Sequence, residues 1–339
     1  MRTNGTSTNS TSRTSLLNPR IVTTAGLVLL LCLPLVVRDI YWLDLGITVL
    51  IWASLATAWN ISAGFAGGLS LGHAAFFGVG AYTSSLLFLR LGITPWIGVF
   101  AGALLAGALG ALLGVITFRL KGPFFVLATL AFGIVVHIIN VNWRDLTRGA
   151  AGLLLPFRGG PQNMLFPNLW AYWYTGLGLL VLTVGVSVAI ERSRLGYYLV
   201  ALREDEDAAR SLGVRVVRSK VVAAALSAAL AACAGAVYAT FIQYIDPDST
   251  TQFELSVQIA LVAIVGGMGT TFGPVLGAAI VIPLGEILRA RVGGGPALVV
   301  YGFLLMVIVL AAPNGAIAGV RLIGRRLRRF IHSGRKADA

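Results

Sequence analysis

The sequence predicts an all-α protein, a polytopic transmembrane helical bundle of about ten passes with broken or re-entrant helices. Three observations predict it. Of the 339 residues, 57% are hydrophobic and only 12% are charged, against roughly a quarter charged in a soluble domain. Mean hydropathy is +0.85. The apolar residues fall in long runs, separated by basic or glycine-rich stretches. A chain so poor in charge cannot cover its own surface with polar groups, so lipid must be its solvent on most faces. A run of about 20 apolar residues, rising ~1.5 Å each, spans roughly 30 Å of hydrocarbon.

Residues 1–20 are rich in Ser, Thr and Asn, carry Arg2, Arg13 and Arg20 and no acid, and read as a disordered cytoplasmic leader. The first apolar run is Ile21–Val37, ended by Arg38-Asp39, and the second is Leu45–Asn60. A glycine-rich stretch follows, Gly64-Phe-Ala-Gly-Gly-Leu-Ser-Leu-Gly72, then His73. The third run, Ala74–Leu89, ends at Arg90, and the fourth, Trp96–Phe118, ends at Arg119 and Lys121. In the fourth, Gly98, Gly102, Gly110 and Gly114 are spaced by fours, a pattern that lets helix backbones approach closely within a bilayer. The fifth run is Pro123–Val141, followed by a polar, proline-bearing region to Asn168. The sixth is Tyr172–Ile190 and the seventh Val221–Ile242. Leu255–Leu288 is too long and too broken for one helix, with Gly266, Gly267 and Gly269 and then Gly273-Pro274 near its middle. The last run is Ala297–Ala312, and a basic cytoplasmic tail occupies 316–339.

Charge placement sets the expected topology. The formal charge is +13. The positives cluster between apolar runs and in the tail, as cytoplasmic loops do, which points to a membrane surface and not to nucleic acid. With 191–220 and the tail inside, two short passes at 255–266 and 273–288 bring both termini to the cytoplasmic side. A re-entrant hairpin near 266–274 is the alternative. The transmembrane domain is then 21–315, with 191–220 as its cytoplasmic loop. Cys32 and Cys233 lie in separate runs and read as small packing residues.

No catalytic constellation stands out. His73, His137 and His332 are far apart and in no metal spacing, so no metal and no cofactor is expected. There is no Gly-x-x-x-x-Gly-Lys phosphate loop. Energy for uphill transport must come from another subunit. No Asp or Glu lies clearly at a span centre, which argues against a stand-alone, ion-driven secondary transporter. A membrane scaffold without a pore is the other rival.

The strongest local signal is 191–220, with both signs of charge. Glu204–Leu212 has helix formers and an acidic start, favourable at a helix N-terminus, and Gly213 can stop it with a left-handed cap. Ala208, Ala209 and Leu212 give one apolar side, as a helix docking in a partner's groove requires.

This segment resembles the cytoplasmic coupling loop of high-affinity branched-chain amino acid ABC transporter permeases, the larger of the two permease types. The matching residues are Arg194–Tyr198, Leu202–Glu206, Ala208-Ala209, Leu212-Gly213 and Arg218–Lys220. Three further stretches match in order: Gly64 through Tyr82, Arg119 through Phe132, and Gly266 through Gly277. The resemblance implies a heterodimer with a second permease subunit, two ATPase subunits on the cytoplasmic loops, and a periplasmic solute-binding protein, in a bacterial inner membrane. It implies that Arg203, Glu204, Asp205, Glu206, Asp207, Ala208, Ala209, Leu212 and Gly213 engage an ATPase. Branched-chain amino acids are the implied solute; urea, short amides and aromatic acids are carried by relatives.

Physics adds a role for the glycines. Gly64, Gly67, Gly68 and Gly72 would break a helix and free backbone groups, which must be satisfied within protein or a wet cavity. Unwound backbone can bind polar solute groups in transporters. Both breaks, with Ser70, His73 and Thr129 at the first and Gly266, Gly267 and Gly269 at the second, are expected to line the translocation path.

Overall fold

A computed structural model describes residues 19–37, 39–117, 123–157, 159–311 and 315–317. The leader up to residue 18, the tail from 318, and Arg38, Arg119, Lys121 and Arg158 lie outside the described residues. The chain is helical almost throughout. Helices α1 (Pro19–Val36), α2 (Ile40–Asn60), α3 (His73–Leu91), α4 (Pro95–Thr117) and α5 (Pro123–Asn142) come first. A short α6 (Arg144–Thr147) leads through a loop to α7 (Leu169–Arg192). Two small helices, α8 (Arg194–Glu204) and α9 (Glu206–Ser211), precede the long α10 (Val216–Ile242). Then come α11 (Pro247–Thr251), α12 (Phe253–Gly266), α13 (Gly273–Val292) and α14 (Gly294–Ala311). The one strand pair among the described residues joins β1 (Leu153–Leu154) to β2 (Tyr244–Ile245), antiparallel, with Leu153 opposite Ile245.

Among the described residues, seven helical segments are long and apolar enough to cross a membrane: Ile40–Phe65, His73–Leu91, Pro95–Thr117, Pro123–Asn142, Leu169–Arg192, Val216–Ile242 and Pro247–Gly266. The expectation of about ten passes is met only in part. At the chain ends the apolar helical stretches are shorter, Gly26–Val36 and Val299–Ile308. Helix α13 has 20 residues but carries Glu286, Arg289 and Arg291 in its second half. The region 255–288 does split as the glycines require, into α12 and α13.

Local chemistry explains the ends. Asp39 caps α2 by accepting from the Tyr41 amide at 2.9 Å. Pro95 and Pro123 open α4 and α5, where a missing amide hydrogen costs nothing. Asp246 caps α11 in a reciprocal capping box with Ser249.

Helix α2 is the centre of the core. Ile47, Ile51, Leu55 and Trp59 are fully buried along it, as expected of a helix surrounded by other helices. Helices α3, α4 and α10 form a second centre built on small residues. Gly98, Gly102, Ala106, Gly110 and Gly114 form the buried stripe of α4, while Phe100, Leu104, Leu112 and Ile116 point outward. Where α3 crosses α10, a methyl on Gly80 would stand 2.0 Å from the Ala232 carbonyl oxygen. Only a hydrogen fits there. The stripe read from the sequence is therefore a helix-packing device.

Candidate functional site

The site is built where the two glycine breaks meet the charged segment. Helix α2 does not stop cleanly. It widens into a π-helical turn, Ile61–Phe65, such as marks functional sites in many helices. Gly67 then takes φ +72°, and the chain runs without regular secondary structure to α3. Cross-links hold this segment. The Trp59 indole N–H donates to the Ser70 carbonyl at 2.8 Å. The Leu71 amide donates to the Thr129 hydroxyl of α5 at 3.1 Å.

His73 heads α3 and is buried, with Ser70 beside it. Its Nδ1 lies 3.0 Å from Ser70 Oγ and its Nε2 lies 2.8 Å from Ser227 Oγ of α10. The Ser227 hydroxyl donates to the Ala58 carbonyl at 2.6 Å. With its one proton so placed, Ser227 accepts from Nε2–H, and Nδ1 accepts from Ser70. Both imidazole nitrogens are thus satisfied inside the chain. Ser70 and His73 bind the first break to α2 and α10, and both side chains are buried.

The second break, Gly267 to Phe272, is a tight turn between α12 and α13. Gly269 has φ +77°, a conformation glycine adopts without strain. The Thr270 hydroxyl donates to the Gly267 carbonyl at 2.7 Å and accepts from the Gly273 amide at 3.1 Å.

Three side chains join these parts. Asn60, fully buried at the end of α2, donates through Nδ2 to the Thr270 carbonyl at 3.0 Å. Its Oδ1 accepts from the Gly269 amide at 2.8 Å. Arg203, at the end of α8, donates through Nη1 to the Gly64 carbonyl at 3.0 Å, and its stem covers Gly67. Glu191, near the end of α7, accepts from the Thr271 hydroxyl. The first break, the second break and the charged segment are therefore one hydrogen-bonded cluster.

The charged segment is itself folded. Ser193 caps α8, and Asp205 caps α9 by accepting from the amides of Asp207 and Ala208, each at 2.9 Å. This corrects the sequence reading of one helix over Glu204–Leu212. The chain forms two helices, and the second begins after Asp205 because a capping carboxylate needs extended backbone. Leu202, Ala209 and Val216 make a small core beneath. Lys220 reaches Glu206 at 2.5 Å, and Arg210 reaches it at 3.2 Å. The expected apolar side is divided. Ala209 points inward, whereas Ala208 is exposed and Leu212 is 85% exposed.

Of the residues singled out from sequence, the structure brings Arg203 together with Gly64, Gly67 and Gly269, and Thr129 with Leu71 and Gly72. It leaves Glu204, Asp207, Leu212 and Gly213 on the outside of the folded segment. Sequence reasoning missed Asn60, Glu191 and Ser227. Asn60 had a signal, as a polar residue closing an apolar run. His137, set apart from the other histidines, pairs its Nδ1 with the Thr251 hydroxyl at 3.0 Å. Among the described residues no cluster of three or more His, Cys, Asp or Glu could hold a metal.

A lipid-embedded helical bundle with two interrupted helices fastened to a folded, charged segment is the build of a membrane permease. Comparison with known proteins gives the particular family. The chain belongs to the family described as branched-chain amino acid transport system, permease component, whose model matches residues 41–322. It is 31% identical over 303 residues to the high-affinity branched-chain amino acid transport system permease protein LivM of Escherichia coli (strain K12), covering 82% of this chain and 70% of the relative. The LivM of Salmonella typhimurium matches equally. The autoinducer 2 import system permease protein LsrC of Salmonella typhi is 28% identical over 191 residues, 49% of this chain and 55% of that one. No solved structure matches the chain. As a permease component it is a transport subunit, one part of a larger system, and not an enzyme.

Proposed function

We propose that this chain is the inner-membrane permease of an ABC importer that moves branched-chain amino acids inward, driven by separate ATPase subunits. The single observation that carries the mechanism is the Arg203 bond to the Gly64 carbonyl, because it ties the charged segment directly to a broken helix. Arg203 through Gly213 form the coupling surface, with Leu212, Ala208 and the exposed carboxylates of Glu204 and Asp207 facing an ATPase. Closure of the ATPases moves α8 and α9 as one body, since the Leu202–Ala209–Val216 core and the Lys220–Glu206 pair hold them together. Arg203 carries that motion to Gly64, and Asn60 passes it to Gly269 and Thr270. The breaks at Gly64–Gly72 and Gly266–Gly269 shift in concert and gate the path they frame. Ser70, His73 and Thr129 shape it by holding the first break.

The remaining parts follow from this reading. A second permease subunit completes a heterodimeric pore, and a periplasmic solute-binding protein delivers the cargo. Ten passes, with α1, α13 and α14 also crossing, bring both termini to the cytoplasmic side. Residues 1–20 form a leader, 21–315 the membrane domain and 316–339 a basic tail. Support for the sidedness comes from the loops. The two breaks group with 191–213 at one end, whereas β1 and β2 pair the 143–168 and 243–252 loops at the other. The name of LivM supports branched-chain amino acids as cargo, while LsrC shows that related permeases serve another solute.

The test is co-purification of the assembled complex with Glu204→Lys and Asp207→Lys together. Both carboxylates are largely exposed, so the permease should stay folded while the ATPase subunits are lost and ATP-driven leucine uptake falls to background. Retention of the ATPases with uptake unchanged would sink the coupling role.

A further inference from the structure

At the end of α2 opposite the hydrogen-bonded cluster of the two breaks lies a cavity of about 300 Å³ that the coupling mechanism does not use. Asp44 and Asn60 are 16 residues apart on α2, about 24 Å at the helical rise. Asp44 lines the cavity from α2, Gln258 from α12, Glu286 and Arg289 from α13, and Trp52 and Ile282 supply an apolar wall. The charges are unequal. Asp44 and Glu286 line the same cleft, and one guanidinium, Arg289, lies 3.4 Å from Glu286. The lining therefore carries two carboxylates and one guanidinium, so it offers places for both a cation and an anion.

We propose that this cleft binds a primary ammonium group carried beside an anionic group, as in an aliphatic α-amino acid zwitterion awaiting passage. An ammonium offers three donors, which the carboxylates of Asp44 and Glu286 and the Gln258 carbonyl can accept. A net-neutral zwitterion leaves the charge of the site unchanged and sets each of its own charges opposite a counter-charge. The companion anion meets the free N–H groups of Arg289. Trp52 and Ile282 then border the aliphatic side chain, in a volume at the lower end of the range for small-molecule sites. The permease's own cleft thus contributes to solute choice, and this step rests on the import reading above. An aminophospholipid headgroup carries the same ammonium beside an anion, so the source of the group is separated by experiment.

The experiment uses the full chain in its complex with the partner subunits, without the solute-binding protein, in nanodiscs of phosphatidylcholine with or without phosphatidylethanolamine. Radiolabelled L-leucine is the probe, and 2-hydroxy-4-methylpentanoate, which lacks the ammonium, is the competitor. Saturable leucine binding is expected, with the hydroxy acid at least tenfold weaker. Asp44→Asn and Arg289→Gln should each weaken leucine at least tenfold. If the ammonium comes from lipid, phosphatidylethanolamine co-purifies with the wild type, is depleted in Asp44→Asn, and leucine does not bind; this also supports the ammonium site. The proposal is overturned if leucine and the hydroxy acid bind alike, or if both variants leave leucine binding and bound lipid unchanged. Absence of both ligands in a complex that still performs ATP-driven uptake once reconstituted in proteoliposomes with the solute-binding protein sinks the cleft and spares the permease reading. Leucine held in the cleft by a complex that imports nothing does the reverse.

Discussion

The two interrupted helices are held in opposite ways. The first break is fastened by side chains from several helices: Trp59 from α2, Thr129 from α5, Ser227 from α10 and Arg203 from α8. The second break has few outside supports, chiefly Asn60 and Glu191, and is otherwise closed by its own backbone fit. A methyl on Gly266 would stand 1.9 Å from the Gly273 carbonyl oxygen, and one on Gly277 would stand 1.9 Å from that of Val262. The difference teaches where motion can enter. A segment bonded to many elements moves only when they move, whereas a turn hung on two side chains follows whatever displaces those two.

The sharpest way to break this comparison is Gly266→Ala. Backbone faces backbone there, so nothing flexible can yield. Overpacking costs typically 1–3 kcal/mol, and a loss of about 3 kcal/mol is expected here. The purified chain should melt earlier and aggregate on size-exclusion chromatography. Melting identical to wild type would show that α12 and α13 separate easily and that the second break is not a backbone lock.

Next in size is His73→Ala. The buried Ser70 hydroxyl would lose the acceptor of its proton, which costs roughly 1–3 kcal/mol, while Ser227 keeps its bond to the Ala58 carbonyl and loses only the donor from Nε2. A net loss of about 2 kcal/mol is expected. Thermal stability of the assembled complex measures this. If His73→Ala kept full stability yet abolished transport, the imidazole would act on solute and the packing role would be wrong.

Asn60→Ala separates the breaks from each other. Two hydrogen bonds to the second break disappear, worth about 1 kcal/mol net in stability. The larger consequence is in coupling: ATP hydrolysed per leucine imported should rise several-fold, with ATPase association intact. Arg203→Gln should act in the same direction. A double-mutant cycle then reports whether the two residues lie on one line of force, since coupled sites are non-additive. Strict additivity of the two effects on the ratio would cut the link from Arg203 to Asn60.

Much of this architecture was legible in the sequence. The apolar runs gave the helices, the four-residue glycine spacing gave the α4 stripe, and the glycine clusters located both breaks. What stayed hidden was long-range pairing. Nothing local in the sequence joins Leu153 to Ile245, Asn60 to Thr270, or His73 to Ser227, because those partners are set by how helices stack. The boundary of α9 moved for a different reason. Glu204–Asp207 is a run of four acids, any of which suits a helix start, and only backbone geometry selects Asp205 as the cap. Helix α8 was visible in retrospect: Ser193 is a good cap, and Leu195, Leu199 and Leu202 follow helical spacing, but the flanking charges made the stretch look like a solvated loop.

The smallest expected effect on stability is the most informative about function. Leu212 is 85% exposed at the tip of the charged segment, beyond every tie that fastens the two breaks. A large apolar side chain in that position contributes almost nothing to the isolated fold, so Leu212→Ser should change its stability by no more than about 0.5 kcal/mol. If a partner's groove receives it, the same change removes buried apolar surface at the interface, roughly 1.5–3 kcal/mol for a fully buried leucine, or more than tenfold in affinity. Arg203 and Asn60 would be untouched. Titration of the ATPase subunits against the variant permease should therefore show weakened binding with a normal ratio of ATP to leucine at saturation. Unchanged affinity would mean that α9 meets its partner by charge alone, and the burden of docking would pass to Glu204 and Asp207.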